Sequence, residues 1–251
     1  MQLVNNQKLK QSKNNSIKSF INSFTIIFAI EFIVEHLNIS IMKKLNYTFA
    51  FIFLISNMIF GQDNEKSKEF NSLSEALKNP EKVFRLNLSN QEINVTDEQW
   101  LQFINLEYLT LKNDRLKQIP LAITKIKSLK VLDLSGNDFI KLPEEISNLS
   151  NLEEIYLNDE KNMNLPKTLS TLAKLPNLKT LHLENDNLSK LPSEILEFKS
   201  LENLYLNQNK FKKIPEIQSL DHLKYLDLKG NDIKPELQDM KNLNFGFKIN
   251  F

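Results

Sequence analysis

Cysteine is absent from all 251 residues, which excludes disulfide staples, attachment of lipid through a lipobox cysteine and thiol-dependent chemistry. Glycine occurs four times, too sparsely for a phosphate-cradling loop. No uninterrupted apolar run reaches the ~20 residues that a membrane-spanning helix needs. Charge of one sign is also missing: the formal net charge is +1, with 32 basic and 31 acidic residues, and no basic stripe of the kind nucleic-acid binding requires. The sequence therefore predicts no nucleic-acid partner and no cofactor.

What the chain does have is a repeat. A segment of the form LxxLxLxxNxL starts at Val83, Leu106, Leu129, Leu152, Leu178, Leu201 and Leu223, with spacings of 23, 23, 23, 26, 23 and 22 residues. Leu-Pro or Ile-Pro pairs at prolines 120, 143, 166, 192 and 215 mark where five of the turns pass from strand to back. Within a copy, positions 4 and 6 share one face of a strand and point inward with positions 1 and 11, as Leu129, Leu132, Leu134 and Phe139 illustrate in the third. Copies of 20 to 29 residues cannot bury this face alone, so they must stack.

Written out, the third copy, SLKVLDLSGNDFIKLPEEISNLS over residues 128–150, closely resembles the leucine-rich repeat family. The resemblance covers residues 83–251. It implies an α/β fold: a curved solenoid, or horseshoe arc, whose concave face is a parallel sheet of seven to eight short strands. It also implies a usual role in holding another macromolecule on that face.

Position 9 carries the family's Asn, whose amide both donates and accepts at the turn. Asn137, Asn209 and Asn231 keep it, while Gln91, Asp114, Glu160 and Asp186 replace it and can supply only part of that bonding. The fourth turn has polar Asn162 at position 11 and precedes the 26-residue spacing. A structural bulge is expected between Asn158 and Lys174, in preference to a functional loop.

The open ends of a solenoid need caps. Residues 62–82 are expected to form an N-terminal helical cap, with Ser72 and Glu75 in capping-box spacing and Phe70, Leu73, Ala76 and Leu77 on one face. At the other end Met240, Leu243 and Phe245 fit positions 1, 4 and 6 of an eighth, truncated copy, and the alternation from Leu243 to Phe251 predicts a terminal strand cap. A closing Phe on such a segment also resembles an outer-membrane barrel strand, but one strand cannot close a barrel.

Ahead of the repeats, residues 42–61 have the order of an export signal: Lys43 and Lys44, an apolar run from Tyr47 to Phe60, then Gly61. Export to the periplasm, cell surface or medium is the expectation, with residues 1–41 a non-translated or disordered, apolar extension before a true start at Met42. The alternative retains residues 20–34 and 45–60 as a membrane anchor, at a cost of roughly 3 kcal/mol for Glu31. Net charge divides at the same place, +4 over residues 1–61 and -3 beyond.

Positions 2, 3, 5, 7 and 8 face the concave side, and four of the five tyrosines fall there: Tyr108, Tyr156, Tyr205 and Tyr225. With His182, on the strand between Tyr156 and Tyr205, they are the candidate partner-binding residues. The bland alternative is that tyrosine simply suits strands. No catalytic or metal site is predicted. Of three histidines only His182 lies on this face; Asp133 is two strands away, and no serine stands beside it in its column. His182 and Glu184 share a strand face but lack a third metal ligand. The expected function is thus a non-enzymatic module for a protein or peptide partner, with a membrane-anchored adhesion protein and an intracellular signalling scaffold as alternatives.

Overall fold

The computed structural model describes residues 66–234 and 246–251, all within one compact unit spanning Asp63–Phe251. Each copy contributes a three-residue strand: β2 (Arg85–Asn87), β3 (Tyr108–Thr110), β4 (Val131–Asp133), β5 (Glu154–Tyr156), β6 (Thr180–His182), β7 (Asn203–Tyr205) and β8 (Tyr225–Asp227). They pair in parallel and in sequence order, so motif position meets motif position along the whole sheet: Asp133 is beside Tyr156, Tyr156 beside His182 and His182 beside Tyr205. The fold is the expected curved α/β solenoid.

Two further strands close the ends, giving nine among the described residues. At the N-terminal edge, β1 (Glu69–Phe70) pairs with β2, so the cap is a strand followed by the four-residue helix α1 (Leu73–Ala76) rather than a helix alone. Phe70 is buried there as a strand residue. Ser72 is the N-cap of α1 but makes no side-chain cap bond; its hydroxyl meets Ser74 at 2.9 Å, and Glu75 takes Lys68 at 3.2 Å. The capping box occurs instead at α2 (Asp97–Trp100), where Thr96 and Gln99 bond each other's backbone N–H. This helix buries Trp100 edge-on to Phe103 beneath the first copy.

At the other edge, β9 (Lys248–Asn250) pairs with β8 and sets Ile249 beside Leu226. Ile249, not Leu243, therefore continues the position 4 column. The strand falls within the alternating stretch, six residues beyond where the leucine spacing put it, because apolar alternation defines a face but not a register. Met240, Leu243, Phe245 and the segments 1–41 and 42–61 lie outside the described residues.

Inside the sheet, positions 1, 4 and 6 of every copy are buried, with Leu132, Leu134, Leu181 and Leu204 at or below 1% exposure. Their burial supplies the main driving force, about 25 cal/mol per Å² of apolar surface. The backs of the second, third and fifth copies are single 3₁₀ turns, Leu121–Lys125, Glu144–Asn148 and Ser193–Glu197, each entered from proline. In the fourth copy the three extra residues are taken up in an eight-residue helix, α3 (Leu165–Leu172), instead. Eight α-helical residues at ~1.5 Å rise cover about 12 Å, close to five 3₁₀ residues at ~2.0 Å, so the longer copy stays in step. Leu165, Leu169 and Leu172 face inward at helical spacing, and Met163 packs on the core where Asn162 does not. The irregularity is a helix packed on the core.

The turns are tied by the position 9 residues. Asn137 accepts from the N–H groups of Asp114 and Leu116 and donates to the carbonyls of Leu111 and Leu134. Asn209 repeats the pattern three copies later. Glu160 and Asp186 keep only the accepting half, from the N–H groups of Asn137 and Glu160 at 2.7 Å each. Both carboxyls are buried, and burial pushes each up to about 7.

Candidate interaction surface

On the concave face the position 5 column brings three rings into one stack. His182 lies 3.8 Å from Tyr156, nearly parallel, and 4.2 Å from Tyr205 on its other side; Tyr205 in turn meets Tyr225, tilted, at 5.5 Å. In-register parallel pairing makes this unavoidable, since neighbouring strands lie ~4.8 Å apart and planar side chains at one position must stack or splay. The tyrosines remain half-exposed. His182, sandwiched between them, is 7% exposed and presents little surface of its own.

The histidine is bracketed by two carboxylates. Its Nε2 is 3.0 Å from Glu154 Oε1, and its Nδ1 is 3.7 Å from Glu184 Oε2, beyond hydrogen-bond reach but within that of an ion pair. Burial alone lowers the histidine's pKa; the bond to Glu154 and the two nearby carboxylates outweigh it and raise the pKa above the usual value. Both glutamates are held below the usual carboxylate range, Glu154 first by its bond to His182 and Glu184 first by the nearby ring of His182. Burial, with Glu154 beside it, raises the phenol of Tyr156. An imidazolium between two tyrosine faces also gains cation–π attraction. Glu184 is fixed further by Asn158, which donates to its carboxylate at 2.7 Å and accepts from its N–H at 2.9 Å.

Elsewhere on the face, position 2 is self-neutralised: Lys130 pairs with Glu107, Lys179 with Glu153 and Lys224 with Glu202, at 2.7 to 3.1 Å. Exposed pairs like these add little to stability, so their main effect is to remove net charge from one column. Tyr108 stands apart from the stack, with the Arg85 guanidinium 4.1 Å from its ring centroid. Of the five residues singled out in the sequence, four thus share one ladder and Tyr108 does not. Glu154 was not among them. Its signal was present in the motif, because position 3 of one strand lies diagonal to position 5 of the next.

A concavity of about 510 Å³ lies elsewhere, lined by Leu191, Phe211, Ile214 and Pro215 among others, and no tyrosine of the ladder borders it. Among the described residues no group of three or more His, Asp or Glu could hold a metal ion.

The chain matches a leucine-rich repeat region model over residues 82–180 and a leucine rich repeat model over residues 176–233. Together they cover more than half of it. The chain belongs to the leucine-rich repeat family.

Among its relatives, a protein of Arabidopsis thaliana described as a probable disease resistance protein is 31% identical over 114 residues, 45% of this chain but 15% of that protein. A Leptospira interrogans leucine-rich repeat protein is 26% identical, with 73% of this chain and 58% of that one covered and a TM-score of 0.49. Internalin C2 of Listeria monocytogenes is 26% identical over 66% and 70% of the two chains, also at 0.49. This leucine-rich repeat chain thus spans well under two thirds of the plant relative and of the Leptospira protein. Folds of the family commonly serve as protein-interaction modules.

Proposed function

We propose that the chain is an exported, non-enzymatic binding module that holds a protein or peptide on its concave face, with Tyr156, Tyr205 and Tyr225 as contacts and His182 as the group that fixes them. The observation carrying this reading is the ladder itself. It sets half-exposed tyrosines side by side on a sheet face whose fold needs only the buried side of each strand. Tyrosine offers large contact area at little entropic cost, and here stacking has already removed much of the remaining freedom. Both nitrogens of His182 face carboxylates, which supports a positioning role over a catalytic one. Export rests on the segment 42–61. Tyr108, stacked under Arg85, is a peripheral contact.

A photo-crosslinking residue placed at Tyr205 or at Ile140, in the cells that make the protein, tests the reading. Ile140 is 69% exposed and off the concave columns. Adducts are expected from position 205 and not from 140; adducts from 140 alone would place the partner on another surface. The N-terminal residue of the recovered protein tests export: a start near Gln62 supports it, and an intact Met1 chain in the membrane fraction favours the anchored alternative.

A further inference from the structure

We infer that the concave face takes a basic peptide, one arginine of which lies in the notch over β4, stacked on the outer face of Tyr156 and paired with Asp133; this rests on the concave-face reading above. The notch is a feature of the columns. In the position 5 column strand β4 offers only Asp133 between Thr110 of β3 and Tyr156 of β5, and Tyr108 lies two residues back along β3, beside Val131. Strands β3 and β5 are ~9.6 Å apart across it, which leaves about the room one planar group needs beside a ring.

His182 covers one face of Tyr156. On the other, toward β4, neither a ring nor a cation stacks among the described residues. Asp133 is the in-register neighbour on that side, and its charge acts on both Tyr156 and Tyr108. Its Oδ1 accepts from the Ser135 N–H at 2.9 Å, while Oδ2 meets only Thr110 Oγ1, at a long 3.4 Å. By contrast both oxygens of Asp227, the matching residue on β8, are taken by Asn250 and Tyr225.

Charge points the same way. With position 2 neutralised, positions 3, 5 and 7 from β4 to β8 carry Asp133, Glu154, Glu184 and Asp227 against Lys229 and His182, with Lys112 just past β3 and Lys248 on β9 flanking this stretch. The face is acidic where the tyrosines are.

The sheet also displays the chemistry that fits. Arg85 lies over Tyr108 with Glu69 3.7 Å from its guanidinium, an arginine stacked on tyrosine and paired with a carboxylate. Tyr156 and Asp133 provide the same two groups one notch along, and an incoming arginine supplies the third. A guanidinium suits this better than an ammonium, being planar, weakly hydrated and forked toward a carboxylate.

The test is the affinity of the full chain for fluorescein-labelled hexa-arginine and hexa-lysine peptides, by fluorescence anisotropy. Hexa-arginine is expected to bind more tightly, and Asp133→Asn to weaken it about tenfold and bring the two peptides close together. Asparagine retains the acceptor for Ser135, so the melting temperature should not move. Equal binding of both peptides by the wild type, no binding of either, or no effect of Asp133→Asn overturns the inference. If Asp133→Asn is silent and Tyr205→Ala abolishes binding, the arginine notch is wrong and the concave-face reading stands. If neither substitution matters, both fail.

Discussion

Glu154 on β5 reaches His182 on β6 at 3.0 Å, joining position 3 of one copy to position 5 of the next. That diagonal, with Glu184 on the far side of the ring, sets carboxylates on both sides of an aromatic stack. It also gives the face a pH dependence of definite sign. His182 titrates higher in the folded chain than unfolded, so its stabilisation is complete below about pH 6.5 and is lost as pH rises through the folded value. Glu154 and Glu184 titrate lower when folded, so theirs is present above about 4.5 and is lost as pH falls through the folded value. The cluster therefore stabilises most between those limits. His182→Gln should lower the melting temperature at pH 5.5 and differ little from wild type at pH 9.

The buried carboxyls of the fourth and fifth turns act in the opposite sense. Glu160 and Asp186 bind protons more tightly in the folded chain, each at about 7, so stability falls as pH rises from about 4 through 7. Glu160→Gln and Asp186→Asn keep the acceptor and add a donor for the turn. Each should raise stability at pH 8 by on the order of 1 to 3 kcal/mol and change little at pH 4, as thermal melts at the two pH values would show.

Core positions should behave quite differently from exposed ones. Leu132→Ala and Leu204→Ala each remove a fully buried side chain and should cost roughly 2 to 5 kcal/mol in denaturant unfolding. Ile140→Ala, at 69% exposure, should stay within about 0.5 kcal/mol.

Two glycines at equivalent turns should differ. Gly136 and Gly230 both have positive φ, +69° and +73°, so alanine at either meets a backbone cost of roughly 1 to 2 kcal/mol. A Cβ at Gly136 would also overlap the side-chain oxygen of Asn113, whereas at Gly230 the nearest atom is 3.6 Å away. Gly136→Ala should therefore be the more destabilising of the two in a parallel melt.

The sequence already held the solenoid, because period, inward columns and prolines each constrain it independently, and the sheet has the pairing that spacing implies. It also placed Tyr156, His182 and Tyr205 in one column. It did not reveal that His182 is buried, since that follows from how neighbouring rings lean. Nor did it separate Tyr108, whose ring is taken by Arg85. Strand β1 escaped notice because two residues carry no periodicity, and Ser72 with Glu75 mimicked a capping box that formed at Thr96 and Gln99. The 26-residue spacing announced an irregularity but not that an α-helix would absorb it.

Whether His182 is the charged centre of the ladder is most directly read from an NMR titration of its ring protons in the full chain. The expected midpoint lies above the ordinary value of about 6.5 and drops in Glu154→Gln. A midpoint at or below 6.5, unmoved by that substitution, would mean a neutral ring and a face not held by charge.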